Sequence, residues 1–300
     1  MNQARKDIGI LVYVDNVPSN IEEFGWLYKS IIHTGLFDRS TLIVACHPEA
    51  TSKLPRDSNI VVIPSVPYSQ KNSEWSDYGY INSVANLCDK AVLDVCRQFD
   101  YILKTDCDTF VTPALSKFHP AGLCFGFGAY AYEASVRQKL NECSARWGLP
   151  HSGLHNIGAS VLGPSTMVCD FLPAQMDCCI RLLDEEFRDF RGEWPGWCRN
   201  VITMYAGELA LRRTYPQRCS IGLLDHFPYA SLTHGSDVLH IHAWQTDEYW
   251  SKLKYREGAY DHIALQDIDR STLGGYCHWL AASDIEQVRA EANQALSTHA

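Results

Sequence analysis

An α/β fold, with a mostly parallel central sheet covered by helices on both faces, follows from three features of this 300-residue sequence. The run Ile8–Val14 (IGILVYV) is apolar almost throughout, as in a strand buried on both faces. Strand-like runs and helix-like stripes then alternate through the first third of the chain, the β-α-β order of a parallel sheet. Two acids, Asp106 and Asp108, leave the carboxyl end of the fourth strand-like run, where open sheets of this kind take their ligands.

Ser19 and Glu22 have capping-box spacing, which predicts a helix start, with Phe24, Leu27, Tyr28 and Ile31 as its apolar stripe and Gly35 as its stop. Thr41–Ala45 (TLIVA) and Asn59–Ile63 (NIVVI) read as the second and third strands, the latter closed by Pro64 and Pro67. A polar stretch from Gln70 to Asp77 leads into a second helix with Val84, Leu87, Ala91 and Val95 on one face. Tyr101–Lys104 (YILK) is the fourth strand. Beyond it the pattern is less regular. Ala159–Leu162 reads as a strand, Phe171–Arg188 as a helix, and a further helix spans 201–212 after the loop Glu193–Trp197. Val238–Ala243 (VLHIHA) alternates like a strand. No repeat or linker interrupts the chain, so 1–270 is expected to form one domain and 271–300 a helical tail.

Hydrophobic residues at 46% and charged residues at 20% suit a globular chain with a substantial core and exclude a disordered one. A net charge of −9 argues against nucleic acid and anionic membrane as partners, since both require a basic face. Ile8–Val14 follows Arg5 and Lys6 but is too short to span a bilayer, and no small-residue cleavage site follows it. No other run approaches the roughly 20 apolar residues of a membrane span, so a cytoplasmic protein is expected. The 12 cysteines include no C-x-x-C pair. Cys46, Cys88, Cys96, Cys124 and Cys169 sit among apolar neighbours and, like the vicinal Cys178 and Cys179, read as reduced packing residues.

Asp106 and Asp108 cannot both be core residues, because an unpaired buried charge is very costly. Hard oxygen ligands of this kind suit Mg2+ or Mn2+ bridging protein and diphosphate oxygens; the alternative is an exposed loop that happens to carry two acids. His240 and His242 share one face of an alternating strand. A hydrogen-bonded pair at a sheet edge is one reading; a third metal ligand is the other, with His242, nearer the strand end, preferred over His240. Lys252, Lys254 and Arg256 follow and are placed to neutralise phosphate.

The order of elements ending in L-K-T-D-C-D (Leu103–Asp108) resembles the nucleotide-binding half of GT-A glycosyltransferases. H-N-I-G-A-S (His155–Ser160) and H-I-H-A-W (His240–Trp244) are similar to segments of the retaining members, and the resemblance covers most of residues 8–260. It is nearest to the rhamnosyltransferase-type domain of large algal (chlorella-type) viruses. The resemblance implies a Rossmann-like sheet, with a nucleotide-binding half at 1–110 and an acceptor-side, metal-completing half at 111–270. It implies Mn2+ or Mg2+ on Asp106, Asp108 and His242, with Asp106 also able to reach the ribose. Tyr13, Val14 and Asp15 would cradle the nucleoside, and His155, Asn156 and Gly158 would lie by the donor sugar, where Gly158 admits close backbone approach. Lys252 or Lys254 would take the pyrophosphate, although the family's late H-x-x-G-x-x-K-P-W form is missing here. The donor is then a nucleotide-sugar, by resemblance a UDP-sugar, and the acceptor a glycan hydroxyl.

Breaking the sugar–phosphate bond builds negative charge on the nucleoside diphosphate, which a divalent ion and a lysine stabilise. Glu208 is the best protein carboxylate for a base or an acceptor contact, its alternative being a solvated helix-face acid. Trp194 and Trp197 either stack on a sugar or pack in the core. The turn Asp15–Asn20 lacks the glycine-rich loops of sugar-nucleotide pyrophosphorylases and of dinucleotide-binding enzymes, and no G-x-S-x-G marks a hydrolase. A binding module of the same fold without turnover is the competing reading.

Overall fold

In the computed structural model, which describes residues 6–150, 153–228, 238–243 and 250–298, the first apolar run forms β1 (Ile8–Val14), buried along its whole length. β2 (Ser40–Cys46) pairs with it in parallel, β3 (Ile60–Pro64) extends the sheet beyond β2, and β4 (Tyr101–Lys104) lies parallel on the other side of β1. Period-two alternation sends Leu11 and Tyr13 into one core cluster, and Ile8, Ile10, Val12 and Val14 into another on the opposite face. This double cover explains why β1 reads as a continuous apolar run.

Helix α1 (Pro18–His33) buries Phe24, Leu27, Tyr28 and Ile31, the predicted stripe, and Gly35 follows it in left-handed conformation at φ 66°. The predicted capping box does not form. Pro18 opens the helix, Val17 is its cap residue, and no side chain caps it. Proline supplies the start instead, since its fixed φ suits the first helical turn, where its missing N–H costs nothing.

A short helix, α2 (Tyr68–Lys71), precedes the predicted second helix, which is itself broken into α3 (Asn82–Ala85) and α4 (Lys90–Cys96). Asp89 is extended at ψ 136°, which resets the helical phase, so Ala91 is exposed while Val92, Leu93 and Cys96 face the core.

The second half contributes elements that the periodicity did not reveal: β5 (Thr109–Val111), β6 (Leu123–Phe127) and α5 (Ala134–Arg146). β7 (Ile157–Pro164) is longer than expected and runs antiparallel between β4 and β6. α6 (Ser165–Leu182) starts earlier than predicted and passes into a π-helical turn at Leu183–Phe187. It carries Pro173 in its interior, and packing against α7 (Ile202–Thr214) outweighs that local penalty. β8 (Cys219–Leu224) closes the sheet in the order β3-β2-β1-β4-β7-β6-β8, so β7 is its one reversed strand.

β9 (His240–His242) pairs antiparallel with β5 as a separate two-stranded sheet. After α8 (Lys252–Arg256), helices α9 (Leu273–Ala282) and α10 (Ile285–Thr298) pack on α1. The predicted tail is therefore docked: Lys29 Nζ donates to the carbonyls of Ala281 and Ser283, at 3.0 and 2.9 Å. Residues 299–300 of that tail, and Trp244 of the late histidine segment, lie outside the described residues. All 12 cysteines are free and most are buried, as expected for packing residues.

Candidate metal centre and its two cavities

β4 delivers Thr105–Asp108 to the carboxyl edge of the main sheet, and the β5–β9 pair holds the late histidines against it. Pairing of Thr109 with His242 brings His242 Nε2 to 3.2 Å from Asp108 Oδ1. Asp106, Asp108 and His242 each offer one ligand atom, and these atoms lie within 4.8 Å of one another. Lys252, at the start of α8, pairs with Asp108 Oδ2 and approaches Glu23 Oε1 at 3.5 Å. Lys104 Nζ bridges Asp106 Oδ1 and the Ala159 carbonyl, both at 3.1 Å.

Burial would raise the Asp108 carboxyl, but the charges of His242 and Lys252 outweigh it and hold the group well below the usual carboxylate range. Burial would lower His242, yet Asp108 on one side and Asp225 on the other push it up to about 10. His240 behaves oppositely. It is fully buried, and desolvation pushes it down to about 4 despite Asp225 nearby. Its Nδ1 accepts the backbone N–H of Asp225 at 3.1 Å, so its proton resides on Nε2, which donates to Thr105 Oγ1 at 2.8 Å. Of the two histidines, only His242 joins the ligand cluster.

Two cavities meet at this cluster, sharing Tyr80, Ser83, Asp106 and His242 in their walls. The larger, about 550 Å³, is lined by Tyr13, Asp15, Asn20, Asp108, Lys252 and Arg256 among others. The hydroxyl of Tyr13 is buried there without a hydrogen-bond partner among the described residues. Asn20 Oδ1 accepts the Asp15 backbone N–H at 2.7 Å and so fixes the turn after β1. The smaller cavity, about 240 Å³, has Val84, Phe125, Ile157, Phe171 and Met204 on its apolar wall, with Lys104, Asp106, Gly158 and Gln175 supplying polar groups.

Several predicted contacts fall elsewhere. Val14 lines neither cavity: its side chain is core, and its carbonyl accepts the His47 N–H. His155 and Asn156 are absent from both walls; Asn156 sits at φ 61° with Oδ1 accepting from Ala131 N, and His155 Nδ1 meets Glu208 Oε1 at 2.8 Å. Lys254 lies outside the cavity that its neighbours Lys252 and Arg256 line. Glu208 also departs from its expected role. It is fully buried, paired with Arg212 at 2.6 Å and accepting from the Tyr130 hydroxyl at 2.8 Å, so its carboxylate faces neither cavity. Trp197 stacks on Tyr205 at 4.2 Å in the core, and the exposed Trp194 borders neither cavity.

Gly158 does line the smaller cavity, but its missing side chain has another cause. A Cβ there would meet Asp225 Oδ2 at 2.1 Å, and one at Gly126 would meet it at 2.2 Å. Gly158→Ala is therefore expected to destabilise the fold by roughly 1–3 kcal/mol or more by overpacking. Urea denaturation checks this, and unchanged stability would contradict the Asp225 placement.

Asp225, Lys104 and Tyr80 are site residues that sequence reasoning missed. Signals existed: an acid directly after the apolar run of β8, and a lysine ending the buried run of β4.

The profile of DUF7164, described as a domain of unknown function, matches residues 2–295. This chain belongs to the DUF7164 family. No curated protein matches its sequence. Among solved structures, this family member is similar to the galactosyltransferase LgtC in complex with donor and acceptor sugar analogs. Identity is 12%, the TM-score is 0.53, and the match covers 94% of this chain and 99% of that one. An active-site mutant of LgtC matches at 12% identity and TM-score 0.50, covering 85% and 96%. The apo form of the glycosyltransferase GlyE from Streptococcus pneumoniae TIGR4 matches at 10% identity and TM-score 0.51, over 98% of this chain and 64% of that one. The DUF7164 chain thus has the GT-A fold of these glycosyltransferases.

Proposed function

We propose that this protein is a metal-dependent glycosyltransferase, moving a sugar from a nucleotide-sugar to a glycan hydroxyl. The observation that carries this reading is the Asp106–Asp108–His242 cluster at the junction of two cavities of unequal character. Two carboxylates and one imidazole, all within reach of a single ion, fit Mn2+, and fit Mg2+ through the carboxylates alone. A divalent ion held there supplies positive charge to the diphosphate as it leaves.

The chain's own residues account for the rest. The larger cavity takes the nucleoside, with the unpaired Tyr13 hydroxyl and Asp15 at its end, and Lys252 and Arg256 face the diphosphate. The smaller cavity takes the donor sugar, with Lys104 beside Asp106 and Gly158 in the wall. Apolar walls there exclude water from the reacting carbon, which strengthens each electrostatic contact. Asp106 is the only carboxylate among the described residues in that wall, and its position suits cation binding. Since no second acid lines that wall among the described residues, the proposal takes the departing phosphate as acceptor of the hydroxyl proton, the retaining course.

Uridine as the base and a rhamnosyltransferase-type donor rest on the sequence resemblance alone. Among the described residues no helix is long and apolar enough to cross a membrane; a cytoplasmic location is part of the proposal.

UDP with Mn2+ is expected to raise the melting temperature where UDP alone does not, and a nucleotide-sugar panel is expected to reveal one donor by metal-dependent release of nucleoside diphosphate. Binding without release from any donor would favour the binding-module reading. Lys252→Ala removes a charge-assisted contact of about 1.5–3 kcal/mol and is expected to weaken nucleoside diphosphate binding roughly 10- to 100-fold by calorimetry.

A further inference from the structure

Behind the metal cluster lies a buried polar network that the transfer reaction does not touch, with Asp225 at its hub. Asp225 follows β8, is almost fully buried, and adopts φ 55°, a backbone conformation uncommon outside glycine, asparagine and aspartate. Its carboxylate is wedged between Gly126 and Gly158, where no larger residue would leave it room. Oδ2 accepts the Ser160 N–H at 3.0 Å, and Oδ1 lies 3.2 Å from His242 Nδ1. Oδ1 is also 3.5 Å from His240 Nδ1, but that nitrogen accepts the Asp225 N–H and has no proton to give, so this contact is not a hydrogen bond.

The donor directions then run outward from His240, with the shorter of the two hydroxyl contacts of Thr105 Oγ1, 2.9 Å to Thr109 Oγ1 against 3.2 Å to Ser160 Oγ, taking its proton. His240 Nε2 donates to Thr105 Oγ1, Thr105 Oγ1 donates to Thr109 Oγ1 at 2.9 Å, and Thr109 Oγ1 donates to the Asp106 carbonyl at 2.8 Å. Each hydroxyl accepts once and donates once along this path. One residue therefore contacts the histidine side of the cluster through its carboxylate and the aspartate side through its backbone.

We propose that Asp225 is the positioning residue of the metal centre: its carboxylate holds His242 by Nδ1 so that Nε2 faces the cation, while its N–H sets the His240–Thr105–Thr109 chain that fixes the main chain at Asp106. The inference rests on the metal-dependent reading above. A purely structural plug between two glycines would need no charge, whereas a carboxylate behind a histidine ligand both orients the ring and raises its basicity.

The test measures Mn2+ affinity by electron paramagnetic resonance, in the presence of UDP, for the wild type, Asp225→Asn, His242→Ala and the double variant. Asparagine tolerates the left-handed backbone and keeps an acceptor oxygen, so folding should survive. Asp225→Asn is expected to weaken Mn2+ binding about 10- to 100-fold in the wild-type background, and to cause little further loss once His242 is alanine. An equal loss in both backgrounds, or no loss in either, overturns the histidine arm. Thr105→Val probes the other arm and serves if Asp225→Asn does not fold. It should weaken Mn2+ about 10-fold, the lower end of the same range, with His242 present or absent; unchanged affinity overturns that arm. A wild type that binds no Mn2+ with UDP would instead bring down the transferase reading itself.

Discussion

Asp108→Ala is expected to abolish Mn2+-dependent binding of nucleoside diphosphate while leaving the fold intact. The carboxylate is the point where three partners converge: His242 Nε2 at 3.2 Å, Lys252, and any cation shared with Asp106. Without it the cation loses an oxygen ligand, and Lys252 loses its counter-charge, so the lysine opposes a further positive charge. Loss of a partner behind a ligand costs 10- to 100-fold in metal affinity, so loss of the ligand itself should cost at least about 100-fold. The backbone is spared, because the Asp108 carbonyl keeps its bond from the Ala243 N–H at 2.9 Å. The readout is the melting temperature with UDP and Mn2+ against UDP alone. Normal binding and turnover in this variant would falsify the metal assignment.

Arg212→Met is expected to have the largest effect on stability. Arg212 and Glu208 are one turn apart on α7, both without solvent exposure, and their 2.6 Å contact neutralises two charges in the core. Removing the guanidinium leaves the Glu208 carboxylate with only the Tyr130 hydroxyl and His155 as partners. Breaking a buried pair from one side costs about 3–5 kcal/mol, measurable by urea denaturation. Glu208→Gln keeps an acceptor and the side chain's shape, so it should lose less, about 1–3 kcal/mol. It should also retain donor turnover wherever it is folded. Turnover lost in a stable Glu208→Gln protein would return Glu208 to the chemistry.

Glu208 also shows how local sequence misleads. Tyr205–Glu208 reads as a helix turn with one acid, and nothing nearby says whether that acid faces water or the core. Arg212, one turn later, was visible in the chain; that both sides of the pair would be sealed by Tyr130, His155 and Asn141 was not. The same holds for His155 and Asn156. Their motif was recognisable, but the left-handed Asn156 turns the segment so that Ile157, Gly158 and Ala159 reach the cavity while His155 and Asn156 do not.

The strands β1 to β4 and the metal-binding role proposed for Asp106, Asp108 and His242 were legible along the chain, because burial on both sheet faces imposes an unbroken apolar run and paired acids at a strand end stand out against it. Those signals depend on neighbours in sequence. β5, β6, β8 and the hub at Asp225 depend on neighbours in space: Asp225 meets Gly126, Gly158, Ser160 and His242, drawn from three separate strands. Short strands carry too few residues for a period to emerge, and a buried carboxylate is tolerated only where distant donors converge on it. Folding brought those donors together, and with them the distinction between the histidine that faces the cation site and the one that supports it from behind.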